Sequence, residues 1–284
     1  MGKITLLSQT KRLLGKYRLS ARKGLGQHFL IDETVLAKIV AAAAVTTTDT
    51  IIEVGPGLGV LTRELVALAG QVVAVELDNG AAALIEQEVG TSNNLQIIRQ
   101  DIMEADIDSL SGGKSYKVVA NLPYYIAAAV IRRFLEASHK PKSLVVMVQK
   151  EVAEIITAPP GKRSLLSIGV QYYAEPQIVC EVPAISFYPP PEVSSAVVKA
   201  DIKTELPLPQ TEEAGFFGIV RSGFTASRKQ LANSLAIGLS KPKTETLALL
   251  EEAGVPPSQR AESLTLEEWL SLWQAYQNVE KGND

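Results

Sequence analysis

Asn121-Leu122-Pro123-Tyr124 combines residue types that can activate an amine. The Asn121 side-chain oxygen and the Leu122 carbonyl, oriented by Pro123, are two neighbouring acceptors. Together they can hold both hydrogens of an amine and direct its lone pair outward. The exocyclic amine of adenine is a poor nucleophile because its lone pair is delocalised into the ring. Two acceptors polarise it and favour a more tetrahedral nitrogen as a methyl group arrives. Tyr124 offers a face on which the base can stack. No general base is required, since the alkylated amine loses its proton afterwards, and positioning and electrostatics carry the catalysis. The plainer alternative is a turn with a capping Asn and a core Tyr.

A methyl donor is suggested upstream. Glu53-Val54-Gly55-Pro56-Gly57-Leu58-Gly59 lies between an apolar strand pattern and a helix. Glycines let the backbone turn sharply and approach a ligand, and the helix N-terminus adds unpaired amides. The spacing is G-x-G-x-G, not the G-x-G-x-x-G of dinucleotide binding, which disfavours a nicotinamide oxidoreductase. Glu53 would be poorly placed beside a pyrophosphate but suits a cation, and S-adenosylmethionine carries a sulfonium and an amino group. A tight structural turn is the alternative.

Glu76, in Val75-Glu76-Leu77-Asp78, can accept from both ribose hydroxyls at the end of a second strand; otherwise it caps a helix or faces solvent. Asp101 follows a third strand and can accept from the adenine amine, with Ile102 packed on the ring; otherwise it is an ordinary strand-end acid. In Phe187-Tyr-Pro-Pro-Pro-Glu-Val-Ser194 the prolines stiffen a loop that can set Phe187 against the second face of the target base. A base in a duplex would first be extruded. The alternative leaves Phe187 in the core. His28 suits contact with the methionine end of the cofactor, with a general-base or a structural role as alternatives; His139 reads as a surface residue. Two isolated histidines and the single Cys180 give no metal-ligand spacing and no internal disulfide.

These residues need a scaffold that brings strand ends together. Asp32 can cap a helix over 33–44, and short apolar strands at 50–54, 71–76, 95–99, 117–120 and 143–148 alternate with helices at 60–68, 79–89 and 126–137. This is an α/β pattern, a mostly parallel doubly wound sheet covered on both faces. Strands at 177–182 and 195–202 can form an antiparallel edge. Leu206-Pro-Leu-Pro209 marks a linker, after which helices are predicted at 212–222, 228–238, 243–253 and 265–277. The reading is a flexible basic N-terminal arm over 1–24, a catalytic domain over 25–205 and a small all-helical domain over 206–284.

The 284 residues are 46% hydrophobic and 21% charged, which suits a globular protein with a core. The net charge of −3 is unlike that of a wholly basic nucleic-acid binder, but its distribution is uneven. No acid precedes Asp32, and none lies in 214–244. Arg22, Lys23, Arg221, Arg228 and Lys229 in these stretches are candidate RNA contacts, with solvated faces as the alternative. No apolar run is long enough to span a membrane and no signal-peptide core opens the chain, so a cytoplasmic protein without a membrane partner is expected.

The motifs resemble the bacterial small-subunit ribosomal RNA adenine dimethyltransferase A family over about residues 20–277. The resemblance rests on Lys23-Gly-Leu-Gly-Gln-His-Phe-Leu30, the glycine turn, Asn121-Leu-Pro-Tyr124, Phe187–Ser194, Arg228-Lys-Gln-Leu-Ala-Asn-Ser-Leu235 and Arg260-Ala-Glu-Ser-Leu264. It implies a Rossmann-like class I methyltransferase domain with S-adenosylmethionine as cofactor. It also implies dimethylation of two adjacent adenosines in a hairpin near the 3′ end of 16S RNA, within a partly assembled 30S subunit, by a monomer without metal. Carried over by position, His28, Leu30, Gly55, Glu76, Asp101 and Asn121 contact the cofactor, alongside Gly57, Gly59 and Ile102 from the residue reading. Asn121, Leu122, Pro123, Tyr124 and Phe187 hold the base. The competing expectations are a resistance-type 23S RNA methyltransferase and a non-catalytic ribosome-assembly factor.

Overall fold

The computed structural model describes residues 5–22, 24, 26–90 and 92–282. Two compact units result, one built from residues up to Glu154 with Glu175–Ile202, the other from Ile155–Ala174 with the chain after Lys203.

The first unit begins with α1 (Leu6–Tyr17), β1 (Phe29–Leu30), α2 (Glu33–Ala43), β2 (Thr50–Val54), α3 (Val60–Leu68), β3 (Gln71–Glu76) and α4 (Asn79–Glu88). It continues with β4 (Leu95–Arg99), α5 (Ile107–Ser111), β5 (Tyr116–Asn121), α6 (Ala127–Glu136), β6 (Ser143–Gln149) and α7 (Lys150–Ile156). After α8 (Leu165–Tyr173) in the second unit come β7 (Ala174–Val182), β8 (Phe187–Tyr188) and β9 (Ser195–Ile202). Seven strands form one sheet in the order β4-β3-β2-β5-β6-β9-β7, and β1 pairs with β8 separately. From β4 to β6 neighbours run parallel, and β9 runs antiparallel to β6. Every residue of β2 is buried. Side chains alternate between faces along a strand, so both faces of this sheet are covered, and the strands read as unbroken apolar runs.

Caps set the helix starts. Asp32 accepts from the Thr34 and Val35 amides at α2, and Asp78 accepts from the Gly80 and Ala81 amides at α4. Asp78, not Glu76, is therefore the helix cap of the second crossover.

The structure departs from the sequence reading in three places. The stretch 1–24 reads as a flexible arm, yet Leu6–Tyr17 is a helix capped by Thr5, with Leu6, Thr10 and Leu13 buried. Its apolar residues recur at helical spacing, and Leu13 packs with Phe29, Leu58, Leu84, Ile85 and Val89 while Lys11, Arg12 and Lys16 stay exposed. The basic composition hid an amphipathic stripe. Second, Ile155–Ala174 belongs to the second compact unit although the sequence boundary falls at 205. Within that unit Gln171 donates to the Ile156 and Ala158 carbonyls, and Arg163 donates to the Leu264 carbonyl. No composition shift marks this excursion. Third, α5, α7 and α8 have no counterpart among the predicted elements.

The second unit also holds α9 (Gln210–Phe224), α10 (Leu231–Gly238), α11 (Lys243–Glu252) and α12 (Leu266–Gly282). Its core centres on fully buried Trp269 and Phe216, with Glu212 accepting from the Trp273 indole at 3.0 Å.

Candidate active site

The carboxyl ends of β2, β3, β4 and β5 open onto one cleft of about 1070 Å³, counting its open mouth. This is the edge at which parallel α/β sheets bind ligands. Gly55, Gly57, Glu76, Asp101, Ile102, Asn121, Leu122, Pro123, Tyr124, His28 and Leu30 all line it.

The glycine turn forms the floor. Gly55, Gly57 and Gly59 have φ of 66°, 57° and 74°, in the left-handed region that favours glycine. A Cβ on Gly57 would also come within 3.3 Å of the Phe29 ring. Gly59 caps α3 and is not on the cleft wall, so its part is to shape the turn.

Two acids sit in this floor. Glu76 is 6% exposed, and its two carboxylate oxygens accept from the Gly57 amide at 3.0 Å and the Asp78 amide at 2.8 Å. Burial raises its pKa, and those amide bonds work against the rise. Glu53 is 1% exposed, and its Oε2 has no hydrogen-bond partner among the described residues. Burial, opposed by the Thr62 hydroxyl and reinforced by the nearby Glu76 charge, pushes its pKa up to about 8. Asp101 accepts from the Met103 amide at 2.8 Å, which fixes its position at the strand end, and Ile102 is buried beside it.

The opposite wall is the segment after β5. Asn121 Nδ2 donates to the His28 carbonyl at 3.2 Å, which leaves Oδ1 as the acceptor. The Leu122 amide donates to the Met147 carbonyl at 3.1 Å, anchoring the adjacent peptide. Tyr124 shares a 2.6 Å hydroxyl hydrogen bond with Ser195, and burial raises its pKa. Its ring lies 5.7 Å from that of His28 at 21°. His28 Nδ1 donates to the Pro189 carbonyl at 2.8 Å, so the imidazole is oriented by the backbone of the proline loop.

Phe187 is not brought to the cleft. It is 2% exposed and packs with Leu30, Val119, Met147 and Val197, pairing in register with Leu30. The core alternative is the observed one: the proline loop presents the Pro189 carbonyl, while strand pairing turns Phe187 inward. Arg22 is engaged rather than free, its Nε 3.3 Å from Asp78 Oδ2, because the nearly buried Asp78 carboxylate needs a countercharge. Lys23 lies outside the described residues. Arg221, Arg228 and Lys229 are exposed and make no ion pair among the described residues.

Sequence reasoning missed Tyr125, 59% exposed at the cleft mouth, and Leu77, 48% exposed on its wall. Each adjoins a named motif residue, and exposure of a large hydrophobic side chain was the signal that only coordinates could supply. Ser195, the Tyr124 partner, was also missed, since 71 residues separate the two. Among the described residues no group of three or more His, Cys, Asp or Glu could hold a metal ion, and no helix is long and apolar enough to cross a membrane.

This geometry can be set beside known proteins. The profile of the ribosomal RNA adenine dimethylase family matches residues 18–278. A ribosomal RNA small subunit methyltransferase A of Dehalococcoides mccartyi is 49% identical over 97% of this chain and 95% of its own. The protein of that name from Pelotomaculum thermopropionicum is 40% identical over 92% and 93%. Among solved structures, a dimethyladenosine transferase from Plasmodium falciparum superposes with a TM-score of 0.77 at 25% identity, covering 89% of this chain and 98% of that one. The 23S rRNA methyltransferase ErmE gives 0.72 at 27% identity, covering 88% and 99%.

Proposed function

The chain belongs to the ribosomal RNA adenine dimethylase family, and from that premise we propose that it dimethylates the N6 amines of two adjacent adenosines in the 3′-terminal hairpin of 16S ribosomal RNA. In this reading S-adenosylmethionine is the methyl donor, the substrate is a partly assembled 30S subunit, and the enzyme is a cytoplasmic monomer. The name shared by the full-length bacterial relatives supports the choice of small-subunit RNA.

The single observation that carries the chemistry is the Asn121 amide held by the His28 carbonyl. With Nδ2 committed, Oδ1 and the Leu122 carbonyl are left to accept the two hydrogens of the target amine. That fixes the nitrogen lone pair toward the cleft floor before reaction, so little reorganisation remains in the transition state. Tyr124 supplies the stacking face, kept in place by Ser195.

The residues of the floor fit the cofactor. An unpartnered buried carboxyl at Glu53 suits a cation, and the bare glycine backbone allows close approach. Glu76 would hold the ribose hydroxyls, Asp101 and Ile102 the adenine, and His28, Leu30, Gly55 and Gly57 the methionine end. When bound, the cofactor supplies an electrophilic methyl group on a sulfonium sulfur. After transfer the methylated amine is acidic, and its proton leaves to water at the open cleft mouth. Arg221, Arg228 and Lys229 in the helical unit are the proposed RNA contacts.

The test uses purified protein, tritiated S-adenosylmethionine, and 30S subunits lacking these methyl groups, with 50S subunits in parallel. Label recovered as dimethyladenosine in 16S RNA alone is the expected result. Label in 23S RNA would move the enzyme to the large-subunit branch, and tight 30S binding without label would replace the enzyme by a binding factor.

A further inference from the structure

Glu53 Oε2 has no hydrogen-bond partner among the described residues. The residue ends the fully buried strand β2, pairs in register with Ala74 of β3, and lies in the floor of the cleft. A buried ionised carboxylate without a partner is costly, whereas a protonated one is tolerated. The groups packed around it sharpen the contrast. From β3 the Glu76 carboxylate faces it, and that acid already holds two backbone amides that favour its charged form. From α3 comes the neutral Thr62 hydroxyl, which favours the anion and works against the effect of burial, although its Oγ1 completes no hydrogen bond among the described residues. From β5 the cleft receives the neutral Asn121, and from the segment before α2 it receives His28. Among the described residues no cation acts on Glu53, and the two amides that Glu76 accepts make Glu76 the more readily ionised of the two acids.

We infer that Glu53 carries a proton in the free enzyme and releases it when the cationic methionine end of the cofactor docks, so that cofactor binding is coupled to proton release. In this step the carboxyl O–H bond breaks, the proton passes to solvent, and the carboxylate becomes the counterion of the docked cation. The inference rests on the proposed use of S-adenosylmethionine. The raised pKa of Glu53, about 8, agrees with it and sets the pH window. Below that value the proton competes with the cofactor, so the cofactor Kd should fall about tenfold per pH unit as pH rises.

Titration calorimetry of the full chain with S-adenosylmethionine between about pH 5.5 and 7 tests this, in buffers of differing ionisation enthalpy. The range stays below that in which an amino group of the ligand titrates, about 7.7–8.0. Release approaching one proton per bound cofactor is expected, and His28→Asn should retain it. Glu53→Gln, checked for native fold by circular dichroism, should bind with little proton release and a flattened pH profile. S-adenosylhomocysteine, which keeps the ammonium but lacks the sulfonium charge, identifies the cation: release with both ligands assigns the ammonium, release with S-adenosylmethionine alone the sulfonium. Binding of S-adenosylmethionine by the wild-type protein without proton release overturns the inference, whatever the variant does. Release undiminished in a folded Glu53→Gln overturns it as well. Failure of S-adenosylmethionine to bind at any pH overturns the cofactor reading itself.

Discussion

Asn121 Nδ2 donates to the backbone carbonyl of His28 across 93 residues of sequence, at 3.2 Å. This contact ties the segment entering α2 to the segment leaving β5, and it determines which end of the amide faces the cleft. One hydrogen bond thereby joins the two segments, with the His28 ring itself held by the Pro189 carbonyl.

Asn121→Ala removes one of the two acceptors and the cross-cleft bond together. Methyl transfer under single-turnover conditions should fall by about 10²–10³-fold, the usual loss for a donor or acceptor aimed at a transition state. Cofactor Kd should change much less. Turnover within a few-fold of wild type would remove Asn121 from its assigned role.

Glu76→Ala should weaken cofactor binding by roughly 1.5–3 kcal/mol, the range for a hydrogen bond to a charged group. The substitution also strands the Gly57 and Asp78 amides, which now donate to its carboxylate. Calorimetry reads the effect directly, and an unchanged Kd would refute the ribose contact.

Tyr124 separates stacking from anchoring. Tyr124→Phe keeps the ring and loses only the bond to Ser195, so stability should drop by about 1 kcal/mol with transfer largely retained. Tyr124→Ala loses the stacking face, worth about 1–3 kcal/mol per base, and should raise the RNA requirement accordingly. Equal behaviour of the two variants in transfer assays would contradict the stacking role.

Leu13→Ala tests the correction at the N-terminus. A flexible arm would tolerate it, but Leu13 is 1% exposed in a cluster with Phe29 and Leu58. Denaturant unfolding should show a loss of about 2–5 kcal/mol, as for other buried leucines. Because Phe29 and Leu58 also line the cleft, cofactor affinity should fall too.

Arg228→Glu combined with Lys229→Glu should weaken RNA binding and flatten its salt dependence. If each residue meets one phosphate, the slope of log K against log salt should fall by roughly 1.4–1.8. Unaltered binding would place the RNA face elsewhere on the helical unit.

What the sequence determined by itself was the part of the site that near neighbours govern. The glycine turn, the acids at the ends of β2, β3 and β4, and the Asn121–Tyr124 segment after β5 were legible because strand and helix periods place successive strand ends on one edge. The tertiary structure alone decided the partners that long loops bring together. It turned Phe187 into the core through its pairing with Leu30, joined Arg22 to Asp78, and gathered Ile155–Ala174 into the helical unit. It also revealed Leu6–Tyr17 as a packed helix, since an amphipathic stripe among basic residues is stable only where a core exists to receive it. The reason is the same throughout. Spacing along the chain dictates which face a side chain occupies, but burial and countercharge dictate what that face meets.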